Sequence, residues 1–298
     1  MDTTDASALK AHITELEQQL QTTKALLRRA ESISTSRNKE VSLPVRPSMH
    51  NLLLLADSAL PLGSFAYSSG LESFLAHHKA SATSVLSGAS TFRLFQQFLR
   101  LSIHTVAYTN VPYVLACFRD PLVLMELDND LDASTPCTVA RRASIAQGRA
   151  LLSVWEKAFA KGIRSQLVAD GLEAATALTI FAADLKMAAV SQEHLPVNGH
   201  LAPIWGTAAL SLGLNLEEAG YVFLLNHAKA VISAGVRASV MGPYQAQDTL
   251  ASGMLQDLIK NSLEKVWFLQ PEDAGQAVPS MDLWIGRHEL LYSRIFNS

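Results

Sequence analysis

Asn51–Leu75 reads NLLLLADSALPLGSFAYSSGLESFL. Four leucines, Leu52 to Leu55, open it. The run is too short to cross a bilayer, so it predicts one or two buried helical turns. Asp57 and Ser58 interrupt the apolar run. Pro61 and Gly63 sharpen the break, because proline lacks a donor and glycine tolerates positive φ. Phe65 and Tyr67 follow. Ser69 to Glu72 fit a capping box, with Glu72 reaching back to the Ser69 amide. Ser64 is an alternative N-cap. The stretch reads helix, aromatic-bearing loop, helix.

Working outward, the chain keeps this character. It has 298 residues, 49% apolar and 17% charged, enough to bury a core and too apolar for disorder. A net charge of −3 leaves no basic excess for phosphates, which argues against a nucleic-acid binder. Cys117 and Cys137 are not in C-x-x-C spacing, which argues against a disulfide framework or a cysteine-built zinc site. The N-terminus lacks a secretory pattern, and no apolar run reaches about 18 residues. A cytoplasmic protein with no membrane span is expected.

Residues 1–50 are expected to stand apart, as an amphipathic helix and a flexible linker. Leu9, Ile13, Leu16, Leu20 and Leu27, with Thr23 between the last two, follow a coiled-coil seam. Such a helix docks on another chain or on the body, or it stays solvated. Both charge signs on its other side suit a lipid surface poorly. Ser32 to Ser48 read as the linker.

Residues 51–298 are expected to form one large all-α domain of roughly ten helices. Helical periodicity runs over Thr91–Tyr108 and Thr138–Ala160, and further helices are expected from about Gly171 to Val190 and over Gly199–Leu212. Gly148 inside its helix implies close packing by a neighbour. Asp128, Asn129, Asp130 and Asp132 look like a calcium loop. Ala133 and Val139 stand where glycine and glutamate are needed, so an exposed acidic loop is expected. Leu216–Met241 is predicted as a central buried helix, capped by Asn215 and Glu218 and ended by Gly242 as C′ and Pro243. Asn226, Lys229, Ser233 and Arg237 share one face of it. That stripe meets a partner, water or acidic groups, or it faces solvent.

No catalytic signature stands out. His288-Glu289-x-x-Tyr292 lacks the second histidine of a zincin. G-x-S-x-G, G-x-x-x-x-G-K-[ST] and G-x-G-x-x-G do not occur. No cofactor and no resident metal are expected. The enzyme alternative is a helical metal-dependent or small-molecule hydrolase, with Glu72, His227 and Glu289 clustered.

Three motifs carry a resemblance. SALPLGSFAYSSGLE (Ser58–Glu72), GVRASVMGPYQAQ (Gly235–Gln247) and PSMDLWIGRHELLYSRIFNS (Pro279–Ser298) resemble, in order, motifs of the urease accessory protein F family, UreF. Pro243 departs from the family's usual glutamine after the glycine. The resemblance covers all but about the first fifty residues. It implies an all-helical, non-catalytic homodimer that binds urease accessory protein D (H in some bacteria) and recruits the GTPase UreG. Together these load nickel into apo-urease. It implies partner-binding roles for Phe65, Tyr67, Arg237, Gly242, His288, Glu289, Tyr292, Arg294 and Phe296, with Arg237 and Gly242 either contacting the GTPase or shaping a nickel route. Phe65 stands where some members carry tyrosine and lacks the hydroxyl, so support of the tail is expected from its packing or from Tyr67 nearby.

Overall fold

The computed structural model describes residues 3–37, 47–81, 88–163, 169–190 and 197–297. All secondary structure among them is helical. Contacts divide the chain into two units, Met1–Val45 and Arg46–Ser298.

The described residues of the first unit form one long helix, α1 (Thr3–Arg37). It corrects part of the expected linker, since residues 32–37 are helical. SISTSR carries neither glycine nor proline, and its weaker helix formers cost only tenths of a kcal/mol each. Pro47 and Ser48, at its other end, already belong to the next helix, and residues 38–46 lie outside the described residues.

The second unit begins with α2 (Pro47–Ala56), proline in its first turn, then a 3₁₀ turn at Ser64–Ala66 and α3 (Leu71–Ser81). Next come α4 (Gly88–Thr109), α5 (Val111–Arg119) and, after a 3₁₀ turn at Pro121–Val123, α6 (Leu124–Ser134). Then α7 (Thr138–Val154) passes through a wider π turn, Trp155–Phe159, into α8 (Ala160–Ile163). The remainder is α9 (Ala169–Val190), α10 (Leu201–Ser211), α11 (Leu216–Arg237), α12 (Pro243–Ala251), α13 (Gly253–Val266) and α14 (Ser280–Arg287). A 3₁₀ turn, His288–Leu290, leads into the tail.

Two small residues set how closely the core helices approach. Gly206 of α10 lies against α5, where an added Cβ would stand 2.1 Å from the Val114 carbonyl oxygen. Gly148 of α7 lies against the chain entering α10, where a Cβ would stand 2.2 Å from the Gly199 carbonyl oxygen. The glycine inside α7 thus has the close neighbour its sequence implied. Trp205 of α10 donates its indole N–H to the Ala219 carbonyl, and Trp155 donates to the Ser211 hydroxyl. Both are almost fully buried, and each has the partner a buried indole needs.

Three local expectations change. Of the four leucines, Leu55 is buried, whereas Leu53 is 60% and Leu54 38% exposed. Four consecutive positions span a full turn, so a helix at the rim buries only its inner side. The acidic run is no exposed loop but part of α6, and Asp128 is fully buried. Its carboxylate accepts the backbone N–H groups of Asn198, Gly199 and His200 as the chain enters α10. Asp132 accepts from His200, and Asp130 from the Tyr113 hydroxyl. Charges that look solvated in sequence are consumed by partners distant in the chain.

The third change concerns α11. Its capping box forms as expected, with Asn215 and Glu218 bonded reciprocally. Its end comes earlier, at Arg237. Ser239 takes a left-handed φ of 56°, the Val240 amide donates to the Gly235 carbonyl, and the Ser239 amide donates to the Val236 carbonyl. This is a Schellman closure with serine in the usual glycine place. Gly242 is then the N-cap of α12, and Pro243 opens that helix rather than merely stopping α11.

Candidate partner-docking site

The first motif, the end of α11 and the C-terminal tail meet in one place. Gly70, at φ 87°, lets α14 lie directly on the first motif. A Cβ there would stand 3.0 Å from the Ile285 amide nitrogen. Phe74 of α3 meets Trp284 edge-on at 4.7 Å. From that platform the tail turns back across the start of α3.

Glu72 is the anchor. Its carboxylate accepts the Ile295 amide at 2.9 Å and the Phe296 amide at 3.4 Å. The Asn297 amide donates to the Ala66 carbonyl at 2.8 Å. The capping box expected at Ser69–Glu72 therefore does not form. Ser69 sits at φ 52° and α3 begins at Leu71, so Glu72 is free for the tail. A carboxylate accepting several amides makes charge-assisted bonds, stronger than neutral ones.

Phe296 and His288 lie beneath the tail. Phe296 is 4% exposed, and the Arg237 guanidinium sits 4.4 Å from its ring centroid. Such a stack contributes about 0.5–2 kcal/mol. Desolvation there moves Arg237 below its usual pKa. His288 is fully buried and its Nε2–H donates to the Phe296 carbonyl. Its Nδ1 faces Glu72 Oε2 at 3.9 Å without a hydrogen bond.

The polar stripe of α11 is thereby explained. Asn226 donates to the Leu55 carbonyl and Lys229 to the Ala56 carbonyl, at the C-terminal end of α2. A cation suits that negative helix end. Arg237 meets Phe296, while Ser233 faces solvent. The stripe is mostly a seam between α11, α2 and the tail.

Other residues point outward. Tyr292 is fully exposed, Leu290 is 79% exposed and Ile295 61%. Arg294 is exposed as well. Glu289 pairs with Arg142 of α7, which holds its carboxyl below the usual range, helped by Arg294 and His288. Phe65 is 69% exposed, so the expected packing support by its ring is not what holds the tail. The Ala66 carbonyl and the Glu72 carboxylate do that. Tyr67 is half-buried beside the loop. Gly242 is exposed, and a Cβ there would meet nothing within 4 Å.

A cavity of about 220 Å³ lies behind the first motif. Its wall is mostly apolar, with Leu62, Trp205 and Phe223, and polar groups of Ser102, Thr105, Gln147 and His227 interrupt it. Thr105 Oγ1 is buried there without a partner. His227 Nε2 lies 2.8 Å from the Ser102 hydroxyl. Burial pulls its pKa down to about 4. In the unfolded chain histidine binds a proton below about 6.5. Between those values the unfolded state holds more protons, so stability falls as pH drops through the window. The expected loss by pH 4 is roughly 1–3 kcal/mol. His227→Gln should flatten this slope, measured as urea midpoints at pH 7, 5.5 and 4.5.

The triad that the enzyme alternative requires does not assemble. Glu72 is engaged by tail amides, Glu289 by Arg142 and His227 by Ser102. Among the described residues, no three His, Cys, Asp or Glu side chains come together as a metal cluster. The geometry is that of a braced surface segment: buried anchors below, an aromatic and an arginine above.

Comparison with known proteins decides the family. The family model for UreF matches residues 92–253, more than half of the chain. The chain belongs to the UreF family. A UreF-like urease accessory protein of Schizosaccharomyces pombe, itself uncharacterized, is 36% identical over 249 residues, covering 84% of this chain and 97% of that protein. Urease accessory protein 6 of Cryptococcus neoformans is 29% identical, covering 86% and 98%. Urease accessory protein F of Arabidopsis thaliana is 26% identical, covering 82% and 90%. Within this UreF chain, sequence reasoning missed Glu72 as the tail anchor, Arg142 as the partner of Glu289, and the Ala66 carbonyl. The nearby capping-box pattern masked the first. The other two carry no local signal. Among the described residues, no helix is long and apolar enough to cross a membrane.

Proposed function

We propose that this chain is a non-catalytic urease accessory protein whose braced tail is a docking surface. It binds urease accessory protein D, or H, and as a homodimer in that complex recruits the GTPase UreG to apo-urease. GTP hydrolysis there drives nickel insertion, and the work is done in the cytoplasm. The observation that carries this reading is the tail bonded to Glu72 and Ala66, with the Arg237 guanidinium over the Phe296 ring. A terminal segment is ordinarily frayed unless tied down. Here the ties are specific, and Tyr292 and Arg294 are left outward. Tyrosine and arginine are the residue types that dominate interface energetics. Glu289, held by Arg142, fixes the turn that leads into them.

Arg294→Ala tests the proposal. Arg294 is exposed, so folding and self-association should be unchanged. Recruitment of the GTPase should be lost, with affinity down by at least about thirtyfold for a hot-spot arginine. Size-exclusion chromatography of the mixed proteins reads this. Undiminished co-elution of all components would refute the role given to the tail.

A further inference from the structure

The long helix α1 carries an apolar seam along one side. Every residue from Lys10 to Arg29 is exposed. Ile13, Leu16, Leu20 and Leu27 are each 51–59% exposed, although they share one side of α1. Within its own unit, the described residues hold no second helix against which α1, about 52 Å long, could pack.

Heptad positions follow from the spacing. Ile13, Leu20 and Leu27 occupy a; Leu16 and Thr23 occupy d. Thr23 does not spoil the seam, because its hydroxyl already donates to the Gln19 carbonyl at 2.8 Å. It can enter an apolar layer without leaving an orphan donor. The e positions are Lys10, Glu17 and Lys24, alternating in sign. The g positions are His12, Gln19 and Leu26.

We infer that α1 pairs antiparallel with α1 of a second copy of this chain. In a parallel pair e faces g, so Lys24 would meet only Gln19 and Glu17 only His12. In an antiparallel pair e faces e. With Leu16 opposite Leu27 of the partner copy, Leu20 lies opposite Thr23 of the partner copy. Glu17 then stands beside Lys24 of the partner copy, and Lys24 beside Glu17 of the partner copy. Sliding the pair by one heptad, so that Leu16 meets Leu20 of the partner copy, sets Glu17 beside its own counterpart and Lys10 beside Lys24. Like charges at those places oppose that register. The alternating edge therefore selects both orientation and register, and it fits a copy of itself. This rests on nothing assigned to the tail.

The test uses full-length chains carrying Leu16→Cys or Leu27→Cys, co-expressed, purified and mildly oxidised. Cys117 and Cys137 are buried and burial raises the Cys117 pKa, so they should not compete. The co-expressed pair should give a disulfide-linked dimer on a non-reducing gel. Each variant alone should not, because identical positions would lie about 16 Å apart along the axis. Glu17→Lys in both chains should cut the yield several-fold, and Glu17→Lys with Lys24→Glu should restore it. Crosslinking by Leu16→Cys alone would mean parallel pairing and overturn the inference. So would the absence of a crosslink from the pair, or a Glu17→Lys yield equal to the parent's.

Discussion

Glu72→Ala is expected to free residues 291–297 while leaving the helical body folded. The mutation removes the acceptor of two tail amides, Ile295 and Phe296. Hydrogen bonds to a charged group contribute about 1.5–3 kcal/mol. Losing that much shifts a docking equilibrium about tenfold to a hundredfold. The freed amides find water once the tail lifts, so no buried donor is stranded. Hydrogen exchange at Ile295 and Phe296 should accelerate by that factor, with little change in the body's thermal midpoint. Capture of the accessory partners should weaken in parallel, because Tyr292 and Arg294 lose their fixed placement. Glu72→Gln keeps one neutral acceptor and should fall between the two. Unchanged exchange in Glu72→Ala would show that Phe296 and His288 hold the tail without the carboxylate.

Asp128→Ala is expected to be the most destabilising single change of the set. Asp128 is 0% exposed, and its two oxygens serve three consecutive amides, Asn198, Gly199 and His200. The carboxylate also sits at the positive end of α10. Alanine would strand buried donors, each at about 1–3 kcal/mol, so a total of roughly 3–5 kcal/mol is expected. For a domain of this size that lowers the thermal midpoint by about 10 °C. Asp128→Asn retains one acceptor oxygen and should lose about half as much. A calorimetric midpoint within 2–3 °C of the parent for Asp128→Ala, a shift worth about 1 kcal/mol, would contradict the network.

The failures of sequence reading have a common cause. Glu72 obeyed a local rule, three residues after a serine, yet it bonds a backbone 223 positions away. Asp128 belonged to a hydrophilic run, yet it lies at the centre of a capping network 70 or more positions away. The end of α11 was set at a glycine, yet Ser239 takes the left-handed turn three residues earlier. Local rules describe neighbours three or four residues apart. They cannot weigh a rival partner that arrives only when the chain has folded.

Apolar periodicity, prolines, glycines and the Asn215–Glu218 cap were enough, by themselves, to define an all-helical protein with α11 buried at its centre and α1 carrying a seam. These depend on backbone preference and on which side of a helix is apolar, both written in adjacent residues. Only tertiary structure decided that the loop near Phe65, Arg237 and the tail converge, and that Glu72 ties them. Those partners are chosen by packing, because a buried charge or amide takes whatever complement the folded neighbours bring within about 3 Å.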